Sequence, residues 1–195
     1  MAGKTGLILL AAGASRRMGR MKQLLPVQGE PALVVCIRRI LAAGITEVVV
    51  VVGHNRNSIM PILAGLPVTA AVNQEPDSQM ADSVRAGLDA LSPDITGIMV
   101  GLVDHPLVLS ATYALLENIH TLVPDKIVIP TYRNRGGHPT LFPSFLCRQA
   151  SNRKPLNRIV AEHRESVVRI GVEDPGVVMD MDYPADYRRL VSLVS

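Results

Sequence analysis

The chain has 195 residues, of which 48% are hydrophobic and 19% charged, and its formal net charge at pH 7 is +3. This composition is typical of one folded globular domain and excludes a disordered chain. Lys and Arg are spread along the sequence and aromatic residues make up only 3%, so the mild basicity does not indicate a nucleic-acid-binding protein.

The two cysteines, Cys36 and Cys147, stand in apolar contexts and outside any CxxC pair. We interpret them as buried free thiols, which are typical of a reducing compartment. The apolar run at residues 6–12 is too short for a secretory signal, and no stretch approaches the roughly 20 apolar residues of a membrane-spanning helix. We therefore expect a cytoplasmic protein without a membrane partner.

Strand and helix signals alternate along most of the chain. Apolar runs predict strands over residues 5–11, 47–52, 68–72, 96–103 and 126–130. Apolar residues at helical spacing predict helices over residues 31–43, 57–64, 81–91 and 110–122, the last one capped by Ser110. The later chain predicts extended segments over residues 138–142, 166–172 and 177–181 and helices over residues 155–163 and 184–194. We find no internal repeat and no linker, so residues 1–195 are expected to form a single domain.

Repeated strand–helix units predict a three-layer α/β/α domain with a Rossmann-like, mostly parallel sheet. Ligands of such sheets bind beyond the carboxyl ends of the strands. The polar loops at these ends span residues 12–22, 53–56, 73–83 and 104–106. We therefore expect the functional side chains in these loops.

The loop after the first strand reads LAAGASRRMGRMK over residues 10–22. Its small residues allow backbone N–H groups to approach phosphate oxygens. Ser15 adds a hydroxyl donor, Arg17 a guanidinium fork and Lys22 a compact positive charge. The sequence contains neither GxxxxGK[ST] nor GxGxxG, which argues against P-loop NTPases and dinucleotide-binding dehydrogenases. We interpret this loop as a triphosphate site.

The same loop and the Leu24-Leu25-Pro26 that follows it match the pattern LAAGxSxRMGxxK and LLP. The chain thereby resembles nucleotidyltransferases that activate small molecules with an NTP, in particular molybdenum cofactor cytidylyltransferase and molybdopterin guanylyltransferase. The resemblance implies a glycosyltransferase-A-like nucleotidyltransferase fold, in which the N-terminal half binds the NTP and the C-terminal half the acceptor. It assigns the NTP to Leu10, Ala11, Ala12, Gly13, Ser15, Arg17 and Lys22.

Within that assignment, Arg17 and Lys22 would neutralise the leaving pyrophosphate. Ala12 stands where the guanylyltransferases tend to have a second glycine, which favours CTP over GTP.

Asp104-His105-Pro106 follows the strand predicted at residues 96–103. A carboxylate at the end of a buried strand suits Mg²⁺, which takes few protein ligands and several phosphate oxygens. The segment is similar to the family's DxP motif, whose Asp binds the nucleotide site's catalytic Mg²⁺. His105 replaces the Gln that the family often has, and we interpret it as a neighbour of the site.

Residues 178–187 read VMDMDYPADY and resemble the family's D(T/D)PEDY ending, although Tyr183 and Ala185 replace its usual Thr and Glu. The resemblance assigns Asp182 as the second metal ligand. Asp180 alternates with Asp182 on the predicted extended segment, so it is an alternative ligand. A further alternative is that Asp182 only caps the helix that begins at Pro184.

Residues 73–88 resemble a family segment, GMSxSLRxGL, that lies against the nucleotide base and ribose. Asn73 and Ser83 are our candidate residues there. Gln79 replaces the first Gly, and Ala81-Asp82 replaces small hydroxyl residues, which leaves the identity of the base open.

Residues 133–142 resemble the GHP segment on the family's acceptor side, and our candidates there are Arg135, Gly137 and His138. The glycine permits close backbone approach and the arginine can hold a phosphate, whereas His138 either binds the acceptor or braces the loop. Three positively charged residues and one amide follow, and they either guide an anionic acceptor or form a solvated helix face. These downstream residues are Arg153, Lys154, Asn157 and Arg158.

Together these features predict a Mg²⁺-dependent nucleotidyltransferase in which a phosphate oxygen of the acceptor attacks the NTP α-phosphorus and pyrophosphate leaves. The resemblance implies molybdopterin cofactor as the acceptor, and a molybdoenzyme or its chaperone as a further partner. Two alternatives stay open: another phosphorylated acceptor (a sugar phosphate, a phospho-alcohol or a phospho-lactate-like acid), and a catalytically silent nucleotide-binding accessory protein. A dehydrogenase is less favoured, because no nicotinamide fingerprint is present.

Overall fold

The structure is a computed structural model that describes residues 4–75, 79–152 and 154–194. Three residues of the segment 73–88, namely 76–78, lie outside the described residues, and so does Arg153.

The first half of the chain alternates strands and helices. Its strands are β1 (Thr5–Leu10), β4 (Glu47–Val52), β5 (Thr69–Val72) and β6 (Gly97–Leu102), with a short hairpin of β2 (Pro26–Val27) and β3 (Glu30–Pro31). Its helices are α1 (Ala32–Ala42), α2 (Arg56–Leu63), α3 (Met80–Ala90) and α4 (Ser110–Leu122). Each predicted strand and helix of this half is therefore present, and the hairpin is an addition that the apolar pattern did not predict.

The second half contains shorter elements. Its strands are β7 (Ile127–Tyr132), β8 (Arg135–Gly136), β9 (Thr140–Pro143) and β10 (Val167–Gly171). Its helices are α5 (Ser144–Cys147), α6 (Leu156–Glu162) and α7 (Pro184–Ser192). Short 3-10 helices occur in both halves of the chain. In the first half one lies at Lys22–Leu24, and in the second half they lie at Arg148–Asn152, Arg164–Ser166 and Pro175–Val178.

The central sheet has the strand order β10-β7-β9-β6-β1-β4-β5, and β8 pairs with β7. β1 pairs in parallel with both β4 and β6, so that Leu7 lies opposite Val48 on one side and Met99 on the other. β9 runs antiparallel between β6 and β7. The mostly parallel sheet is thus confirmed, and the short extended segment predicted at residues 138–142 is the antiparallel strand inserted into it.

Helices cover both faces of this sheet, which confirms the three layers. On one face Leu7 and Leu9 belong to a buried cluster that includes side chains of α1, α2 and α4. On the other face Ile8 and Leu10 belong to a second cluster with α3, α5 and α6. Gly87 lets α3 approach β1, because a Cβ there would lie 2.5 Å from Ile8 Cγ2. Cys36 and Cys147 are buried and unpaired, as predicted, and burial raises the pKa of each thiol to about 12.

A third, smaller cluster lies outside the main layers. It joins the loop after β1, the β2–β3 hairpin and α7 through Met18, Leu25, Val27, Ala32, Val35, Leu107, Met181 and Leu190. Met181 is fully buried. The cluster therefore fixes the last part of the chain beside the loop that carries Arg17 and Lys22.

Two local predictions were wrong, and Asp174 explains both. Residues 177–181 do not form an extended segment, because a 3-10 turn begins at Pro175 and Asp174 Oδ1 accepts a hydrogen bond from Gly176 N at 2.9 Å. Ser110 does not cap α4. The Asp174 carboxylate instead accepts from Leu109 N at 2.8 Å and from Thr112 Oγ1 at 2.6 Å, so a residue distant in sequence caps this helix.

Within the described residues, no helix combines the length and the apolar character that crossing a bilayer requires.

Candidate active site

The loop after β1 leaves the carboxyl edge of the sheet and turns at Ser15. Ser15 Oγ accepts from Lys22 N at 3.1 Å, and its carbonyl accepts from Met18 N and Gly19 N at the same distance. Its backbone lies in the left-handed region, with φ at 52°. The backbone N–H groups of residues 13–17 donate to none of the described residues. The loop therefore presents a row of unpaired donors, which is the kind of cradle that binds phosphate oxygens.

Gln23 holds this cradle in place, and sequence reasoning missed it. Its side chain is 1% exposed, and Nε2 donates to Ala11 O at 2.6 Å and to Gly13 O at 3.0 Å. The sequence feature that could have identified Gln23 is its place between Lys22 and the apolar pair Leu24-Leu25, where an amide side chain is expected to be buried. Gln23 ties the start of the loop to the 3-10 turn that carries Lys22.

Lys22 joins two carboxylates that are far apart in sequence. Its side chain is 12% exposed, and Nζ donates to Asp104 Oδ2 at 3.2 Å and to Asp182 Oδ1. Arg17 adds an ion pair to the other oxygen of Asp182 at 2.5 Å. The hydrogen bond from Lys22 lowers the pKa of Asp182 from its usual value. The structure thus brings together Arg17, Lys22, Asp104 and Asp182, as the sequence predicted.

Asp180 does not share this position. It is exposed and forms no hydrogen bond or ion pair with a described residue. Asp182 does not cap α7 either, because Tyr183 N donates to Asp186 Oδ2 at 2.9 Å and Asp186 thereby fills that role. The capping alternative for Asp182 is therefore wrong, and Asp182 is the carboxylate that faces Lys22.

Asp104 offers a divalent cation a free oxygen, whereas both oxygens of Asp182 are paired with Lys22 and Arg17, so Asp182 would bind a cation only by giving up one of these pairs. Asp104 Oδ1 is buried and has no hydrogen-bond partner among the described residues. Two carboxylates of this kind, completed by substrate phosphates and water, suit Mg²⁺ or Mn²⁺. The described residues contain no group of three or more His, Cys, Asp or Glu arranged for a metal. A cation here would hence depend on substrate oxygens to complete its coordination.

A pocket of about 450 Å³, which we call the loop pocket, opens beside this cluster. Seven predicted nucleotide-binding residues line it: Leu10, Ala12, Gly13, Ser15, Lys22, Ser83 and Asp104. The other three lie around it. Ala11 is buried behind the loop, Arg17 turns toward Asp182, and Asn73 Nδ2 donates to Ser83 Oγ at 2.8 Å. Eight lining residues were not among the predicted binding residues: Ala14, Arg16, Gln23, His54, Gln79, Met80, Leu102 and Val103.

A second pocket of about 580 Å³, the sheet pocket, adjoins the first and shares Gln79 and Met80 with it. Of the three predicted acceptor-binding residues, Gly137 and His138 line it, whereas Arg135 is exposed and does not. Gly137 is required here, because a Cβ would lie 2.2 Å from Val177 O.

The ring of His138 faces the ring of His105 with 5.3 Å between centroids. Burial lowers the pKa of His138 to about 4, so its imidazole is neutral at pH 7.

Of the downstream residues that the structure describes, the neutral Asn157 lines this pocket, whereas Lys154 and Arg158 do not. Lys154 and Arg158 both pair with Glu162 and form a solvated helix face. Sequence reasoning missed Arg169, which lines the sheet pocket from β10.

Residues 7–167 match the family model described as the MobA-like NTP transferase domain. The chain belongs to this family. It is 33% identical over 147 residues to nicotine blue oxidoreductase of Paenarthrobacter nicotinovorans, with 71% of each chain covered. It is 24% identical over 186 residues to molybdenum cofactor cytidylyltransferase of Escherichia coli K12, with 92% of each covered.

Other relatives match over smaller shares. The chain is 28% identical over 145 residues to 2-C-methyl-D-erythritol 4-phosphate cytidylyltransferase of Symbiobacterium thermophilum, which covers 64% of the chain and 61% of that protein. It spans 28% of the length of the bifunctional protein GlmU of Mycolicibacterium paratuberculosis, at 32% identity over 138 residues, or 66% of this chain.

Solved structures share the fold over nearly the whole chain. Rv0371c from Mycobacterium tuberculosis superposes with a TM-score of 0.87 and 27% identity, covering 98% of this chain and 99% of that one. A structure of Rv0371c in complex with manganese superposes with a TM-score of 0.83 and 25% identity, covering 98% and 100%. Together with the family match, this shared fold confirms the nucleotidyltransferase fold that the sequence implied.

Proposed function

We propose that this chain is a metal-dependent nucleotidyltransferase that transfers a nucleoside monophosphate from an NTP, with CTP favoured, to a phosphorylated small molecule. The observation that carries the proposal is the ammonium of Lys22, which bonds both Asp104 and Asp182 beside a loop of unpaired N–H groups. Positive charge, carboxylates and free backbone donors together fit a polyphosphate and its cation.

In the proposed reaction, a phosphate oxygen of the acceptor attacks the α-phosphorus of the NTP. A new P–O bond forms, the bond from the α-phosphorus to the bridging oxygen breaks, and pyrophosphate leaves with that electron pair. A phosphate nucleophile is already anionic at pH 7, so no strong general base is needed. Catalysis then rests on positioning and on charge neutralisation.

The chain's own residues divide this work. The loop N–H groups orient the triphosphate, and Lys22 and Arg17 offset the charge that develops on the leaving pyrophosphate. Asp104 and Asp182 would hold Mg²⁺, which supplies further charge neutralisation at the phosphates. Ser83, held by Asn73, faces the part of the loop pocket next to α3 and would bind the nucleoside.

For the acceptor we propose molybdopterin cofactor, on the strength of the resemblance to molybdenum cofactor cytidylyltransferase. In a cell this function would place the protein in the cytoplasm, beside a molybdoenzyme or its chaperone. Other phosphorylated acceptors are the alternative, since relatives of this chain include a cytidylyltransferase named for a phosphorylated polyol.

A thermal-shift screen tests the nucleotide half of the proposal. The protein is mixed with CTP, GTP, ATP or UTP, each with and without Mg²⁺ or Mn²⁺, beside the variant Asp104→Asn. A ligand that binds only the native state raises the melting temperature by mass action. We expect a cation-dependent shift with CTP that the variant reduces, followed by pyrophosphate release once an acceptor is added.

No shift with any NTP would overturn the nucleotidyltransferase proposal. Tight NTP binding without pyrophosphate release for any acceptor would favour a silent accessory protein.

One observation favours a second candidate, an oxidoreductase, because a relative at 33% identity carries that name. Absorbance at 340 nm distinguishes the two. Oxidation of NADH or NADPH by the protein with an aromatic electron acceptor would support this candidate, and its absence together with CTP-dependent pyrophosphate release would exclude it.

A further inference from the structure

The walls of the sheet pocket are mostly hydrocarbon. Its floor is formed by side chains of three neighbouring strands, Val100 of β6, Ile129 of β7 and Phe142 of β9, which are at most 8% exposed. Leu156 and Val160 of α6 close one side. A ligand body that fills this space must be largely apolar, because each hydroxyl buried without a partner costs roughly 1–3 kcal/mol.

A single cation, the solvent-exposed side chain of Arg169, lies at the rim of this apolar wall. Arg169 lies opposite Ile129 in the parallel β7–β10 register. Its guanidinium passes over Gly136, since Nη1 would be 3.1 Å from a Cβ at that position. Arg169 forms no hydrogen bond or ion pair with any described residue. Its donors are therefore available to a ligand.

No other charge balances it within the pocket. Among the described lining residues, Arg169 is the only charged side chain, and the nearby imidazole of His138 is neutral at pH 7. The remaining polar groups are few, chiefly Thr140, Asn157 and Gln79. The pocket thus combines an apolar body site with one anion-binding group.

Arg169 also marks the far end of the pocket. Gln79 and Met80 belong to both pockets and mark the end next to the nucleotide. Arg169 instead borders a third, shallow cleft, together with Arg164, that shares no lining residue with the loop pocket. A group bound by Arg169 is hence distinct from the phosphate that reacts beside Asp104.

We propose that the acceptor has an apolar or aromatic body and carries a second anionic group, away from its reacting phosphate, that Arg169 binds. This inference rests on the proposed function, since it takes the sheet pocket as the acceptor site. It separates this chain's acceptor from polyol phosphates, whose hydroxyls would find few partners against Ile129, Phe142 and Val160.

Calorimetric titration of the full-length protein tests the proposal with three probes. These are 6-phosphonooxy-2-naphthoate, which has both anionic groups, 2-naphthyl phosphate, which lacks the carboxylate, and glucose 1-phosphate, which is a polyol. Each is titrated into the unaltered protein, Arg169→Gln and the matched control Arg164→Gln. Comparing the probes with and without the carboxylate, in the protein with and without Arg169, gives the interaction energy between the carboxylate and this side chain.

We expect the carboxylate to improve binding about tenfold in the unaltered protein and in Arg164→Gln, as one charge-assisted hydrogen bond does. In Arg169→Gln the two naphthyl probes should bind equally. Glucose 1-phosphate should bind at least about tenfold more weakly than 2-naphthyl phosphate. The same carboxylate gain in Arg169→Gln, or glucose 1-phosphate binding as tightly as 2-naphthyl phosphate, would overturn the proposal.

A parallel titration with Mg²⁺ and α,β-methylene-CTP keeps the two proposals separable. If the nucleotide analogue binds the unaltered protein and Arg169→Gln alike but the naphthyl probes do not bind, the acceptor inference fails alone. If the nucleotide analogue does not bind at all, the proposed function fails.

Discussion

The loop pocket and the sheet pocket adjoin each other but recognise ligands by different means. The loop pocket lies beyond parallel strands and offers backbone N–H groups, Lys22 and two carboxylates. The sheet pocket lies on the antiparallel insertion of β9 and offers apolar walls with one arginine. Under the proposed function, the difference teaches that a polyphosphate would be held largely by backbone and charge, whereas the acceptor would be selected by the polarity of side chains.

The largest expected effect comes from removing the ammonium that links the two carboxylates. Lys22→Met should lower kcat/KM for pyrophosphate release by about a thousandfold, because it removes a charge aimed at the leaving group and leaves Asp104 and Asp182 facing each other. The matched control is Arg20→Met in the same loop, which should stay within about twofold. A loss below about tenfold in Lys22→Met would show that the loop pocket does not catalyse through this residue.

A smaller effect distinguishes the two candidate metal carboxylates. Asp182→Asn should lower the rate by about a hundredfold and raise the Mg²⁺ or Mn²⁺ concentration needed for half-maximal rate. Asp180→Asn, two residues away and exposed, should change neither. The metal titration is the decisive readout, since equal metal dependence in both variants would move the second ligand away from Asp182.

Acid should affect the sheet pocket through His138. The unfolded chain takes up a proton below pH 6.5, whereas burial and the neighbouring His105 lower the pKa of the native imidazole to about 4, against the opposing effects of the Val100 backbone and of Asp104. Because the unfolded state binds more protons, stability falls as the pH drops through this window, by about 2 kcal/mol between pH 7 and pH 5.

Urea denaturation at the two pH values measures this loss, and His138→Gln should remove most of it. His120 is also buried and lines neither pocket, and burial lowers its pKa as well. His120→Gln should therefore remove a separate part of the loss of stability at low pH. An unchanged pH dependence in His138→Gln would mean that the imidazole is protonated in the native state.

About half of the residues that line the loop pocket could be predicted from the sequence, because most of those are contiguous in the chain. Residues 10–22 carry the small residues, the hydroxyl and both cations in one run, and Asp104 follows a buried strand. The same run did not reveal Gln23, whose function depends on reaching back to Ala11 O and Gly13 O. A side chain's role as a buried brace depends on folded geometry, which a linear pattern does not contain.

The sheet pocket was less predictable for a related reason. Gly137 and His138 belong to a short motif, but Arg169, Ile129 and Val160 come from separate elements that are adjacent only after β7 and β10 pair. Arg135 was chosen because it neighbours the motif in sequence, and the structure leaves it exposed outside the pocket. Proximity in sequence predicts proximity in space within one turn and fails across a sheet.

The partnership of Lys22 with Asp182 spans 160 residues, and this separation affects how the protein is made. Chains emerge from the ribosome with the N-terminus first, so β1, the phosphate loop and Asp104 are all synthesised before the second carboxylate exists. The cluster of Met18 with Met181 and Leu190, which secures that carboxylate, also waits for the synthesis of α7. A nascent chain arrested before Asp182 would form most of the parallel sheet and still lack the proposed cation site, so the proposed activity would appear only after residue 182 and α7 have been synthesised.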